Sequence, residues 1–308
     1  MTITYTAVRD WADTAVGSWY RQRATPVLPE HKVLRAENRW TATVPRALSA
    51  VASLRVTIVY AVALVAVSTT LTALGPHTRD VVVSRMSTNL HNLARGHLST
   101  LVGSAFVEDG GEVYAWLPGL ACLLALGELI WRSTGLLFAF TVGHIGATLL
   151  VAAGLVAAVQ AGWVPISVAH ASDVGVSYGA VCVLGALTAS IPARWRPVWI
   201  GWWLGITATA AWATEFDFTA VGHVLALLLG MGVSLRLPSM ARWSSVHLAL
   251  LAVGVAVGYF MVSGSSMVAT AGGLAGMLLA FLAGGLLRSR SGYPRAVGQR
   301  QPCFTTRS

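Results

Sequence analysis

Two residues inside apolar stretches have the chemistry for covalent catalysis, a serine and a histidine. Ser177 lies in Asp173-Val-Gly175-Val-Ser177-Tyr-Gly179, and His223 lies in Asp217-Phe-Thr-Ala-Val-Gly222-His223. A serine hydroxyl becomes a useful nucleophile only beside a base, and a histidine titrating near neutrality is the usual one. Gly175, Gly179, Gly222, Ala226 and Gly230 surround the pair, and small residues let two helices approach closely enough for such a hydrogen bond. Two plainer readings stand beside this one: a serine in a span bonding back to its own helix, and a histidine serving packing or an interhelical hydrogen bond. Two further groups need placing. His144, in Val142-Gly-His144-Ile-Gly146, is expected either to bond across to Glu128, Thr148 or another helix, or to stand behind the serine as an oxyanion or supporting residue. Glu128 is expected to pair with Arg132, four residues on.

Other chemistries lack their residues. There is no His-Glu-x-x-His for zinc, no phosphate-binding Gly-x-x-x-x-Gly-Lys-Ser/Thr loop and no redox pair of cysteines. Neither a metal nor an organic cofactor is therefore expected. Few ionisable residues fall within apolar runs, which gives an ion-coupled transporter little to work with. A small-solute transporter remains the remotest reading. The net charge of +9 resides between apolar runs and in the tails, so it is read as membrane topology rather than nucleic-acid binding.

The elements that must position these residues are membrane helices. Hydrophobic residues make up 55% of the 308 and charged residues only 11%, with a mean hydropathy of +0.66. Soluble domains carry about 25% charged residues. The apolar runs approach the roughly 20 residues that a helix needs to cross the hydrocarbon. The fold class expected is all-α and polytopic, with eight spans at about 54–74, 113–131, 136–159, 174–191, 198–214, 218–235, 246–263 and 267–287. If these alternate, 18 of the 21 lysines and arginines fall on one side, which the positive-inside rule assigns to the cytoplasm, along with both termini. Ser177 and His223 then enter the membrane from the same outer side, roughly 6 and 9 Å below Asp173 and Asp217. The domain reading is a basic N-terminal region 1–53, a six-helix core 54–236 with a long outer loop 75–112, two further helices 237–287 and a basic tail 288–308. A weakly amphipathic stretch from Val8 to Tyr20 suits the membrane surface.

Gly175-Val-Ser177-Tyr-Gly179 resembles the Gly-x-Ser-Gly motif on the fourth helix of rhomboid intramembrane serine proteases. His223 with Ala226 and Gly230 is similar to the family's sixth-helix histidine and the small residues that follow it. The segment Ala94 to Phe106 resembles the family's first-loop entry, and Gly127-Glu128 with Arg132 and Gly135 resembles the close of its second helix. The resemblance implies a six-helix rhomboid core in a plasma membrane, and the dominance of arginine over lysine, with Lys32 the only lysine, points to a bacterial one. The resemblance also implies a Ser177–His223 dyad, Ser177 attacking peptide bonds in or near the membrane segments of protein substrates. The lipid bilayer and such substrates are the partners implied. The family usually carries His-x-x-x-Asn at the start of its second helix to hold the oxyanion, whereas Glu108 to Leu117 offers neither residue, which leaves Gly175 and His144 as the oxyanion or supporting candidates. That departure leaves a second expectation open: a catalytically inactive rhomboid-like protein that binds membrane segments.

Overall fold

The computed structural model describes residues 53–108, 113–240, 242–264 and 266–290. The chain divides at Ala52–Ser53, and these residues belong to the second unit. The surface-helix reading at Val8–Tyr20, Cys303 and most of the basic tail lie outside the described residues.

Helix α1 (Arg55–Leu74) has 20 residues, about 30 Å of helix and enough to cross the hydrocarbon. The stretch after it, read from the sequence as a polar loop, is largely helical. Pro76 opens α2 (Pro76–Met86) directly after Gly75, whose φ of 86° turns the chain. Asn89 caps α3 (Leu90–Ala94), its Oδ1 accepting the Asn92 N–H at 2.9 Å. A short α4 (Thr100–Gly103) runs into a 3₁₀ turn at Ser104–Phe106. Short polar helices of this kind carry no hydropathy signal, and their stability comes from caps and docking. The docking is into the bundle: the Tyr60 hydroxyl of α1 donates to the Ala105 carbonyl at 2.6 Å, and its ring meets Phe106 and Phe140 at 5.2 Å each.

Helix α5 (Val113–Thr141) is interrupted at Arg132, where φ is 59° and ψ 175°. The chain reverses there. Leu136 lies against Gly127, and nine residues of unbroken helix would hold those two about 13 Å apart. The second arm passes through a π-helical turn at Val142–Gly146 into α6 (Ala147–Gln160), so this run supplies two of the expected spans.

Helix α7 (Ser177–Ala186), prolonged by a 3₁₀ turn to Ala189, is the centre of the bundle. Every residue from Tyr178 to Ile191 is buried. A helix apolar all round must be sheathed by others, which is why one this short can lie in a membrane. Its free carbonyls are capped by Arg196, which donates from Nε to Ile191 O and from Nη2 to Ala189 O, both at 2.8 Å. Helices α8 (Arg196–Ala213) and α9 (Phe218–Val233) follow. Between α7 and α9, Gly230 lies against the Cys182 carbonyl and Gly185 against that of Leu227. Gly222 leaves room for the Tyr178 ring.

The last two helices, α10 (Ser245–Ser263) and α11 (Met267–Arg290), are packed into the bundle. On α11, Gly272 and Gly276 face Gly205 and Gly201 of α8 backbone to backbone. The small-residue stripe there is thus an interface, except at Gly284, which faces open space. Among the described residues, four helical segments are long and apolar enough to cross a membrane: Arg55–Leu74, the continuous run Val113–Gln160, Ser245–Ser263 and Met267–Gly285. The chain is a multi-pass, all-α membrane protein.

Candidate functional site

Ser177 is the first residue of α7, placed there by a backbone that the neighbouring loop holds in position. Gly175 has φ 119°, a conformation that side chains disfavour, and its N–H donates to Ser104 O at 2.9 Å. Two residues earlier, Asp173 is strapped to the end of α2. Its N–H donates to Ser87 Oγ at 2.8 Å, and its carbonyl accepts the Thr88 N–H at 2.9 Å. Thr88 Oγ1 also donates to the Asp173 carboxylate at 3.0 Å. The segment leading into the serine is therefore tied to the docked loop at both Asp173 and Gly175.

At the start of a helix the first N–H groups have no intrahelical acceptor. Those of Ser177, Tyr178 and Gly179 make no hydrogen bond among the described residues, and the first bond of α7 is Ala180 N–H to Val176 O at 3.0 Å. These are free donors at the positive end of a helix dipole.

His223 is buried, 8% exposed, one turn into α9. The helix begins at Asp217, whose carboxylate accepts the Thr219 N–H at 3.1 Å. The His223 ring packs against Tyr178 edge to face at 5.6 Å, and its Nε2 has no hydrogen-bond partner. Ser177 and His223 open onto one cleft of about 510 Å³, and no hydrogen bond joins them. Gly175 and Val176 line it too, as do Glu108 and Trp116 from the stretch that lacks the expected histidine and asparagine.

His144 lies elsewhere. It does not bond to Glu128; its Nε2 pairs with Ser104 Oγ at 3.2 Å, while its carbonyl accepts Thr148 Oγ1 at 2.7 Å. Ser104 also holds Gly175, so His144 reaches the loop before Ser177 through Ser104. Gly175, with its N–H committed to Ser104, belongs to the same support.

The expected Glu128–Arg132 pair is replaced by another arrangement. The Glu128 carboxylate is buried against the start of α1, accepting the Val56 N–H at 3.0 Å and the Thr57 N–H at 2.9 Å. The hydroxyls of Thr57 and Ser133 complete the set at 2.7 and 2.6 Å. Leu54, at the N-cap of α1, offers no side-chain cap, so the cap comes from another helix. The i, i+4 expectation failed because the chain reverses at Arg132.

Sequence reasoning also passed over Val257, Phe260 and Met261 of α10, which line the same cleft as Ser177. Gly254 and Gly258, one turn apart and on the Val257 side of the helix, were the available signal for a close approach there. Among the described residues no three His, Cys, Asp or Glu side chains are grouped to hold a metal ion.

Burial pushes the Asp173 carboxyl above its ordinary range, with the Thr88 hydrogen bond opposing. An acid whose folded pKa is raised contributes nothing below its unfolded pKa, and it lowers stability as pH climbs through the folded value. Asp173→Asn keeps an acceptor for Thr88 and removes that penalty. Its melting temperature should therefore match the wild type at acid pH and equal or exceed it at pH 8. A clear fall at pH 8 would show that the ionised carboxylate stabilises the strap.

Residues 49–242 match the profile of a family described as rhomboid-like protein. No curated protein and no solved structure matches the chain.

Proposed function

Because the chain belongs to the rhomboid-like protein family, we propose that it is an intramembrane serine peptidase acting through Ser177 and His223. The observation that carries this reading is their common cleft: a serine at a helix start and a histidine whose buried Nε2 has no hydrogen-bond partner line the same space. Ser177 Oγ attacks a peptide carbonyl as His223 takes its proton, forming a tetrahedral oxyanion that collapses to the acyl-enzyme. The C–N bond breaks as His223 returns that proton to the leaving amine, and water, deprotonated by the same imidazole, releases the acid. Of the three free N–H groups, that of Ser177 belongs to a residue lining the cleft and is the donor available to the oxyanion. It offers a backbone substitute for the missing histidine and asparagine. The protein sits in a bacterial plasma membrane with both termini cytoplasmic, so the cleft faces outward, and its substrates are membrane-anchored proteins.

A second reading rests on one observation. No hydrogen bond joins Ser177 to His223, an arrangement equally suited to a protein that binds membrane segments without cutting them. A fluorophosphonate probe separates the two readings. The peptidase reading expects covalent labelling of the purified protein that falls to background in Ser177→Ala. Absence of labelling in the wild type, or labelling that survives the substitution, removes the catalytic assignment.

A further inference from the structure

The cleft has a wall that lies outside the family match. Residues 49–242 end before α10 (Ser245–Ser263) begins, yet Val257, Phe260 and Met261 of α10 face the same space as Ser177. The helix is interlocked there. A Cβ on Gly254 would lie 3.3 Å from the Leu123 Cβ of α5, Val257 packs into the space over Gly119, and Gly258 lies against Leu184 of α7 and Trp203 of α8. Gly254, Val257, Gly258 and Met261 fall at i, i+3, i+4 and i+7, a single helix face turned to the bundle.

We infer, building on the peptidase reading, that α10 is a fixed wall of the substrate cleft. The substrate is then an extended polypeptide segment entering at the end of the bundle where α7 and α9 begin, not a membrane helix arriving from the side past α10. Two observations converge on this. The residues that line the cleft come from the segments leading into α5 and α7, the first turns of α5, α7 and α9 and the last turns of α10, which places its mouth at one end. The α10 part of the lining is apolar (Val257, Phe260 and Met261), so the segment should place an apolar side chain against it. A helix keeps its carbonyls hydrogen-bonded to itself, whereas an extended segment presents them to Ser177.

Locking the wall tests this. In a Cys122→Ser background, Leu123→Cys and Gly254→Cys bring two Cβ atoms to about the separation a disulfide requires. The oxidised and reduced forms are compared for fluorophosphonate labelling and for cleavage of fluorophore-labelled casein, an unfolded soluble chain. The expected result is equal labelling and casein cleavage within about twofold in the two forms. Labelling that persists while oxidation stops cleavage and reduction restores it overturns the inference and leaves the peptidase reading intact, because α10 must then move to admit substrate. If the reduced double variant fails to label, Gly254→Leu in the otherwise native chain, which pushes α10 off Leu123, decides it: casein cleavage that holds or rises overturns the inference, and cleavage lost while labelling persists supports it. Wild-type protein that neither labels nor cleaves casein defeats the peptidase reading and this inference together.

Discussion

His223→Ala is expected to slow fluorophosphonate labelling of Ser177 by about 10²–10⁴-fold, the range over which a positioned general base acts, while leaving the bundle folded. The imidazole has little else to do. Its Nε2 is buried without a hydrogen-bond partner, so its loss leaves no donor or acceptor stranded, which is the usual source of a large penalty. What it does give up is the edge-to-face contact with Tyr178, worth about 0.5–1.5 kcal/mol in such pairs. The melting temperature should therefore fall by only a few degrees. Chemistry and stability separate in this one variant. A labelling rate within threefold of the wild type would assign His223 to packing. Slow labelling with an intact melt would place it on the proton's path.

Glu128→Ala should produce the opposite pattern: a melting temperature lower by about 10 °C, with labelling per folded molecule preserved. An ionised carboxylate is an acceptor only, with about four lone-pair sites, and four donors meet it here: two N–H groups of α1 and the hydroxyls of Thr57 and Ser133. Removing it leaves the first turn of α1 without its cap. Each buried donor left unsatisfied costs about 1–3 kcal/mol, and each kcal/mol shifts the melt of a domain this size by roughly 2–4 °C. The twelve residues from Trp116 to Glu128 put the carboxylate about 18 Å along α5 from the cleft, which is why the chemistry should be spared. Glu128→Gln keeps one acceptor oxygen and sets an amide against the remaining donors, so it should fall between the two. A melt unchanged in Glu128→Ala would mean that α1 finds its cap elsewhere.

Much of this architecture was legible because lipid imposes a length. A run such as 54–74 or 267–287 can be little other than a span, and α1 and α11 begin within one residue of where the apolar runs do. Ser177 and His223 were legible as chemistry misplaced in apolar surroundings, and the structure brings both to one cleft. What escaped was whatever depends on a reversal or on a partner distant in sequence. Glu128 was matched with Arg132 by helix spacing, yet the backbone turns at Arg132 and the carboxylate meets residues more than seventy positions earlier. The helices between Gly75 and Glu108 escaped because they are polar and short, held by Asn89, Tyr60 and His144 rather than by hydropathy. Helix α10 looked like an appendage because nothing in its own sequence announces which helices it will pack between.

The burial of α7 on all sides bears on how such a protein can be controlled. That helix is pinned at its last carbonyls by Arg196 and its approach is pinned at Gly175 by Ser104. With no free face from Tyr178 to Ile191, it has nowhere to roll or slide without unpacking the bundle. Ser177 is thus a stationary post, mounted like an anvil, and adjustment must come from what is brought to it. Regulation, inhibitors and divergence among relatives would accordingly act on the approaches, chiefly the docked loop from Gly75 to Glu108 and the apolar side chains of α10, and leave the nucleophile's own helix untouched.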